Sequence, residues 1–313
     1  MSQRLEYSRY GGPEVMRLTA FTPPAPGPGE VRVKVQAAAI NPFDWQLRQG
    51  AMKLVTGRRF PRAMGTDFAG VVDTVGSGVT AFRPGTPVFG TLDFKLSGAF
   101  AHTVIAQADH TFEKPGHMSF AEAACLPIPA MTAWAAIVTK AKAGPGVRIF
   151  INGVNGAVGR AAAQLALHLG ATVSGSCSRP ADVDGAGFET LLDYAEIEPD
   201  RFSTPFDVVF DTLGTLSIRE GLRLMRRRGL FIDINPAPAR TARGYLSGRY
   251  ALVFATMGLP HLDQIARLAE EDVLRPSVSN TTAFDQAPTV LAEAQAGRRR
   301  GKSVLIMGDN ASN

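Results

Sequence analysis

Residues 149–170 read IFINGVNGAVGRAAAQLALHLG. A short, apolar, extended-looking run ends in three glycines, Gly153, Gly156 and Gly159, and a helix-period pattern then runs to Gly170. Val158, Ala161, Ala162, Leu165 and Leu169 share one face of that helix. A glycine elbow between strand and helix has a chemical use. Residues without side chains let the backbone approach a diphosphate, and the opening of the helix at Ala157 and Val158 offers unpaired N–H groups at a positive dipole end. Gly159 lets the helix lie close on the strand. The spacing is G-x-x-G-x-x-G, not G-x-G-x-x-G. The strand before it and the helix after it raise it above an ordinary glycine-rich turn. The stretch predicts a dinucleotide site.

The second strand of such a unit selects the dinucleotide. In an NAD site an acidic residue about 20 positions on holds the ribose hydroxyls. Here VSGSCSRPAD (173–182) brings its first acid, Asp182, after Arg179 and Pro180. Ser176, Ser178 and Arg179 instead present hydroxyls and a guanidinium, which suit a 2′-phosphate. Tyr194, ending the next predicted strand, reaches the same corner. NADPH is the expected cofactor.

With 313 residues, 45% apolar and 19% charged, the chain has room for two cored domains and reads as globular. The N-terminal MSQRLEYSRYGG carries no apolar signal run, and no stretch reaches the roughly 20 apolar residues of a membrane span. Two cysteines, Cys125 and Cys177, lack metal or redox spacing, which fits a reducing compartment; the cytoplasm is the expected location. The net charge of +5 gathers at Arg226–Arg228 and Arg298–Arg300. No aromatics interleave with these arginines, so solvated helix ends or attraction for an anionic ligand are expected, and no nucleic-acid partner.

Residues 1–120 read as short strands and turns, including EVRVKVQAAAI (30–40), where Val31, Val33 and Val35 alternate with polar neighbours. Beyond Ser119 strands alternate with helices: RIFIN (148–152), ATVSGS (171–176), TLLDY (190–194), FDVVFD (206–211), a helix near 216–226, and GLFIDI (229–234). That alternation predicts an α/β fold, a doubly wound Rossmann parallel sheet beside a β-rich domain. Two helical patterns (261–273 and 284–296) and a last strand, SVLIM (303–307), close the chain.

Several long stretches, in order, resemble the medium-chain dehydrogenase/reductase superfamily, in its zinc-free quinone oxidoreductase branch. INPFDWQLRQG (40–50), GTDFAGVVDTVGSGVTAFRPGTPVFG (65–90) and GAFAHTVIAQADHTFEKPGHMSFAEAACLPIPAMTAW (98–134) carry it, with FDVVFDTLG (206–214) and GKSVLIM (301–307). The resemblance implies a GroES-like catalytic domain over 1–120, a Rossmann NADPH-binding domain over 121–262, and a return to the first domain over 263–313. The active cleft would lie between the domains, and dimers would form through the edge of the Rossmann sheet. Asn41 and Asp44 match positions near the nicotinamide and its ribose. Thr132 matches one near the nicotinamide end, and Ala157 and Val158 match the elbow backbone. Ser176, Arg179 and Tyr194 match the phosphate corner, and Asn235 matches a loop near the nicotinamide.

The departures matter as much. Zinc alcohol dehydrogenases of the superfamily carry Cys near position 41 and a Gly-His-Glu motif, where this chain has Asn41 and Gly65-Thr66-Asp67. Two cysteines cannot form a four-thiolate structural site either, so no metal is expected. Without a Lewis acid the natural substrates are acceptors whose reduction is already favourable, namely quinones and α,β-unsaturated carbonyls. Positioning such an acceptor against the cofactor supplies most of the rate. Trp45 and Phe43 are candidates to stack on a flat ring, and Tyr245 and Tyr250 to edge the pocket; each also reads as a packing residue. Asp44 reads as an orienting acceptor, and no general acid is assigned. An enoyl-thioester reductase and a non-catalytic NADPH-binding redox sensor remain as alternatives. AGRRRGKS (296–303) mimics a phosphate loop, but helix precedes it and strand follows, so it is rejected; Arg298–Lys302 read as shielding cofactor phosphates or as solvated.

Overall fold

The valine alternation does form a strand in the computed structural model, which describes residues 2–183 (the Asp182 side chain excepted), 185, 187–202, 204–235 and 237–307. Residues 308–313 of the expected C-terminal return lie outside the described residues. The chain divides into two compact units, one running to Ile128 and resuming at Pro276, the other spanning Pro129–Arg275.

The first unit begins with β1 (Gln3–Tyr7), β2 (Met16–Ala20), β3 (Glu30–Ala39), β4 (Arg62–Ala63), β5 (Asp67–Val75), β6 (Pro87–Thr91), β7 (Thr103–Gln107) and β8 (Thr111–Glu113). Two short helices, α1 (Pro42–Arg48) and α2 (Lys53–Thr56), lie between β3 and β4, and α3 (Phe120–Ala124) follows β8. Val31, Val33 and Val35 are buried, and Ala37–Ala39 lie fully inside, where β3 pairs with β5 (Ala39 opposite Asp67). Within GAFAHTVIA (98–106) the strand starts only at Thr103.

The second unit begins at Pro129 within α4 (Pro127–Trp134), which runs on as a π-helix to Lys140. Then come β9 (Arg148–Asn152), α5 (Ala157–His168), β10 (Thr172–Cys177), β11 (Phe188–Asp193), β12 (Phe206–Asp211), α6 (Ile218–Leu224), β13 (Met225–Asp233), α7 (Pro238–Leu246), β14 (Tyr250–Leu252) and α8 (Leu262–Glu270). The strands form one parallel sheet in the order β11-β10-β9-β12-β13-β14. Counted within the unit this is 3-2-1-4-5-6, the Rossmann order, and the crevice outside β9 and β12 is its switch point. The fold class is the predicted one.

β13 is longer than expected and takes in Arg226–Arg228, so these are not helix-end charges. They sit on the incoming end of the strand, opposite the edge where ligands bind in such sheets. Arg226 pairs there with Asp207.

The chain then returns to the first unit with β15 (Asn280–Ala283), α9 (Ala287–Gln295) and β16 (Ser303–Ile306). β16 pairs with β3 (Val304 opposite Ala39), completing the sheet β15-β16-β3-β5-β6-β8, and β7 pairs with the other half of β3. Leu5, Val33, Phe68, Phe100, Val290, Leu291 and Leu305 share its core. Two stretches differ from the sequence reading. Residues 121–128 stay with the first unit because α3 lies against β3 and β5. Residues 263–275 stay with the second, where Arg275 N–H donates to Gln164 Oε1 at 3.1 Å. Among the described residues no helix is long and apolar enough to cross a membrane.

Candidate functional site

In the second unit the glycine elbow leaves β9 at the switch point. Gly153 has φ +94°, a left-handed conformation that favours glycine, and a Cβ there would stand 2.6 Å from Thr212 Oγ1. A Cβ on Gly159 would lie 2.1 Å from the Gly153 carbonyl oxygen, so the helix rests directly on the turn. Gly156 is the N-cap of α5, is exposed, and has an ordinary extended conformation. Among the described residues no side chain caps this helix, and its first turn carries no acid. The amides of Ala157, Val158 and Gly159 are therefore first-turn donors without a helical partner, at the positive dipole end. This donor set fits a diphosphate.

A buried polar frame supports the turn. Asn152 Nδ2 donates to Asp211 Oδ1 at 2.8 Å and to Thr215 Oγ1 at 2.9 Å, while its Oδ1 accepts from Ser176 Oγ at 2.8 Å. Asp211 in turn accepts the N–H groups of Leu213, Gly214 and Leu216. Arg240 joins Asp211 (2.7 Å), Asp233 and the Leu216 carbonyl, tying the outgoing ends of β12 and β13 together. Asn235 follows on that edge, exposed, its N–H on Asp233 Oδ1 at 2.8 Å and its side chain against Gly214.

Two expected site residues are engaged elsewhere. Ser176 is fully buried with its hydroxyl committed to Asn152, so it does not face a phosphate. Tyr250 is buried, stacks on Phe231 and donates to Asp233 Oδ2 at 3.2 Å; burial pushes its phenol up to about 12. It is a packing residue. The phosphate corner keeps Ser178, Arg179 and Tyr194, all exposed, with the Ser178 N–H donating to the Tyr194 hydroxyl. Thr132 is buried in α4.

The first unit holds a second polar cluster. Asn41 caps α1 and is locked there by a capping box with Asp44, whose Oδ2 accepts the Asn41 N–H at 2.7 Å. Asn41 Nδ2 donates to Asp67 Oδ2 at 3.0 Å, and Asp67 Oδ2 also accepts Ile128 N–H at 3.1 Å. Lys302, just before β16, donates from Nζ to Asn41 Oδ1 at 2.5 Å and to the Ile40 carbonyl at 3.1 Å. All four side chains are buried. Trp45 packs against the core of this unit, and Phe43 meets Phe94 edge to face. Lys302 was read from sequence as solvated or cofactor-facing; the structure buries it, while Arg298 and Arg300 are exposed and Arg299 pairs with Glu293.

Burial raises the Asp44 carboxyl to about 8; its bond from the Asn41 N–H opposes this and the Asp67 charge adds to it. Burial also raises Asp67, to about 6, with Lys302 the main opposing influence. The folded chain therefore holds a proton on Asp44 that the unfolded chain releases near 3.8. That contribution to stability is complete below the unfolded value and is lost as pH rises toward about 8. Asp44→Asn is expected to flatten the fall in melting temperature between about pH 6 and 8, measured by thermal unfolding across that range.

Two family models match the chain: an alcohol dehydrogenase GroES-like domain over residues 27–127 and a zinc-binding dehydrogenase over 186–305. A quinone oxidoreductase of Lama guanicoe is 30% identical over 267 residues, covering 79% of this chain and 79% of that protein. A chloroplastic quinone-oxidoreductase homolog of Spinacia oleracea is 28% identical over 96% of this chain and 97% of its own. The solved quinone oxidoreductase from Coxiella burnetii superposes with a TM-score of 0.85 at 27% identity, covering 98% of this chain and all (100%) of that one. The chain belongs to the medium-chain dehydrogenase/reductase superfamily, among its quinone oxidoreductases.

The zinc in the second family's description meets no fitting set of ligands among the described residues. Among the described residues no group of three or more His, Cys, Asp or Glu side chains is placed to hold a metal ion. At the positions that matched a zinc enzyme's ligands, Asn41 and Thr66 offer neutral oxygens in place of thiolate and imidazole, and the Lys302 ammonium occupies the Asn41 oxygen.

Proposed function

We propose that the chain is an NADPH-dependent oxidoreductase that delivers hydride to quinones or α,β-unsaturated carbonyls without a metal. The observation that carries this reading is the elbow: an exposed glycine N-cap, free of acids, at the switch point of a 3-2-1-4-5-6 sheet. NADPH, when bound, supplies the hydride. The amides of Ala157, Val158 and Gly159 hold its diphosphate, and Gly153 and Gly159 let the backbone come that close. Arg179, with Ser178 and Tyr194, takes the 2′-phosphate through charge-assisted hydrogen bonds. The family resemblance brings Asn41 beside the nicotinamide, and Asn235 stands on the outgoing edge of the sheet. Asp44, protonated at neutral pH, keeps its Oδ1 without a partner among the described residues.

A second copy of this chain is the proposed partner. Among the described residues β14 ends the sheet with β13 as its only neighbour, and Tyr245, Leu246 and Phe254, large and exposed, lie within a few residues of it.

The test begins with binding. Arg179→Ala is expected to weaken NADPH by about tenfold and leave NADH unchanged, as loss of one charge-assisted contact requires. Titrating both nucleotides into both proteins measures it. Steady-state NADPH oxidation then runs over quinones, enones and enoyl thioesters. Saturable binding without turnover would assign a redox sensor, and thioesters far outpacing free acceptors would assign an enoyl reductase.

A further inference from the structure

Of the cations in the 298–302 cluster, Lys302 alone goes inside. Its main chain is clamped: its carbonyl accepts the N–H groups of Ser279 (2.9 Å) and Asn280 (3.1 Å), and its own N–H donates to Ser279 Oγ (3.1 Å). The side chain then ends on Asn41 Oδ1, 261 residues away in sequence. The two ends of the Asn41 amide face opposite kinds of partner. Lys302 can only donate and ionised Asp67 can only accept. A flipped amide would set its NH₂ against the ammonium and its oxygen against the carboxylate, losing both bonds.

We propose that Lys302 is the positioning residue of the Asn41 site: its ammonium is the fixed cation that holds the Asn41 amide in one orientation, oxygen toward Lys302 and NH₂ toward Asp67. The family's zinc-bearing members put a dication in this neighbourhood; here a single covalent charge stands on the Asn41 oxygen. The groups around Asp67 agree with this. Lys302 is the charge that lowers its carboxyl most; the other groups that lower it, the Ile128 N–H and the Asn41 and Thr91 side chains, are neutral. The functional weight of Asn41 rests on the oxidoreductase reading, so the test includes a readout that does not need turnover.

Lys302→Met keeps the chain's bulk and removes the charge. With ¹³C-labelled aspartate and ¹⁵N-labelled asparagine, the Asp67 carboxyl is expected to titrate at least about one pH unit higher than in the wild type. The Asn41 NH₂ signals are expected to move and exchange faster with water. Turnover is expected to fall by about tenfold, with the NADPH KM unchanged. In Lys302→Ala, added ethylammonium should restore part of that loss. Unchanged Asp67 titration and unchanged Asn41 signals in Lys302→Met would overturn the proposal. Changed spectra in a protein whose wild type never turns over would leave the lysine's role standing and remove the oxidoreductase reading. Should Lys302→Met not fold, the wild type still decides: slow exchange of the Asn41 NH₂ supports the clamp, and fast exchange overturns it.

Discussion

Gly156→Asp is expected to lower NADPH affinity by at least about a hundredfold, some 2.8 kcal/mol, without lowering the melting temperature. The two effects separate because one position serves two roles. As an N-cap, Asp is better than or equal to Gly, since its carboxylate accepts first-turn N–H groups and favours the positive dipole end. The backbone at Gly156 has φ −74°, open to any residue, and an added Cβ meets only the Gly153 carbonyl oxygen, at 3.3 Å. As a ligand site, the same carboxylate takes the amides that would hold a diphosphate and places like charge against it. At about 4 Å and an effective dielectric near 20, one such repulsion is of order 4 kcal/mol. Calorimetric titration paired with thermal unfolding checks both halves. Unchanged affinity would mean that the diphosphate does not sit on this helix.

Arg240→Met is expected to destabilise the second unit by about 3–5 kcal/mol and lower its melting temperature by on the order of 10 °C. Asp211 and Asp233 are both fully buried, and the Arg240 guanidinium joins them. Removing it strands two carboxylates together where neither is solvated. The damage should reach the site, because Asp211 organises the loop from Leu213 to Leu216 and Asp233 orients Asn235. A double variant, Arg240→Met with Asp233→Asn, should recover part of the stability, since it removes one unpaired charge. Denaturant titration of the two variants measures this; equal loss in both would refute the electrostatic account.

How much of this was legible in the chain depends on the range of the interaction. The elbow was readable because glycine's demands are local: Gly153 needs its left-handed φ, and Gly159 needs to be without a side chain against the Gly153 carbonyl of the turn that leads into α5. The α/β alternation was readable for the same reason. Ser176 was misread because β10 is buried over most of its length, so a period of two no longer separates inside from outside. Only beyond Cys177, where the strand ends, do Ser178 and Arg179 reach the surface. Tyr250 looked like a pocket residue, and its actual partner, Asp233, belongs to the neighbouring strand. The buried roles of Lys302 and Arg240 gave no signal in sequence. Their partners come from distant segments, and a lysine in a basic run reads as solvated until the return strand carries it inside.

Phosphorus NMR of NADPH titrated into the protein tests the central claim most directly. A diphosphate on the α5 amides and a 2′-phosphate beside Arg179 predict that both sets of resonances shift on binding. The bound 2′-phosphate should remain dianionic well below its free second pKa of about 6. In Gly156→Asp neither shift should appear at the same concentrations. Free-like signals with the wild type, or a bound 2′-phosphate that still titrates near 6, would contradict the account.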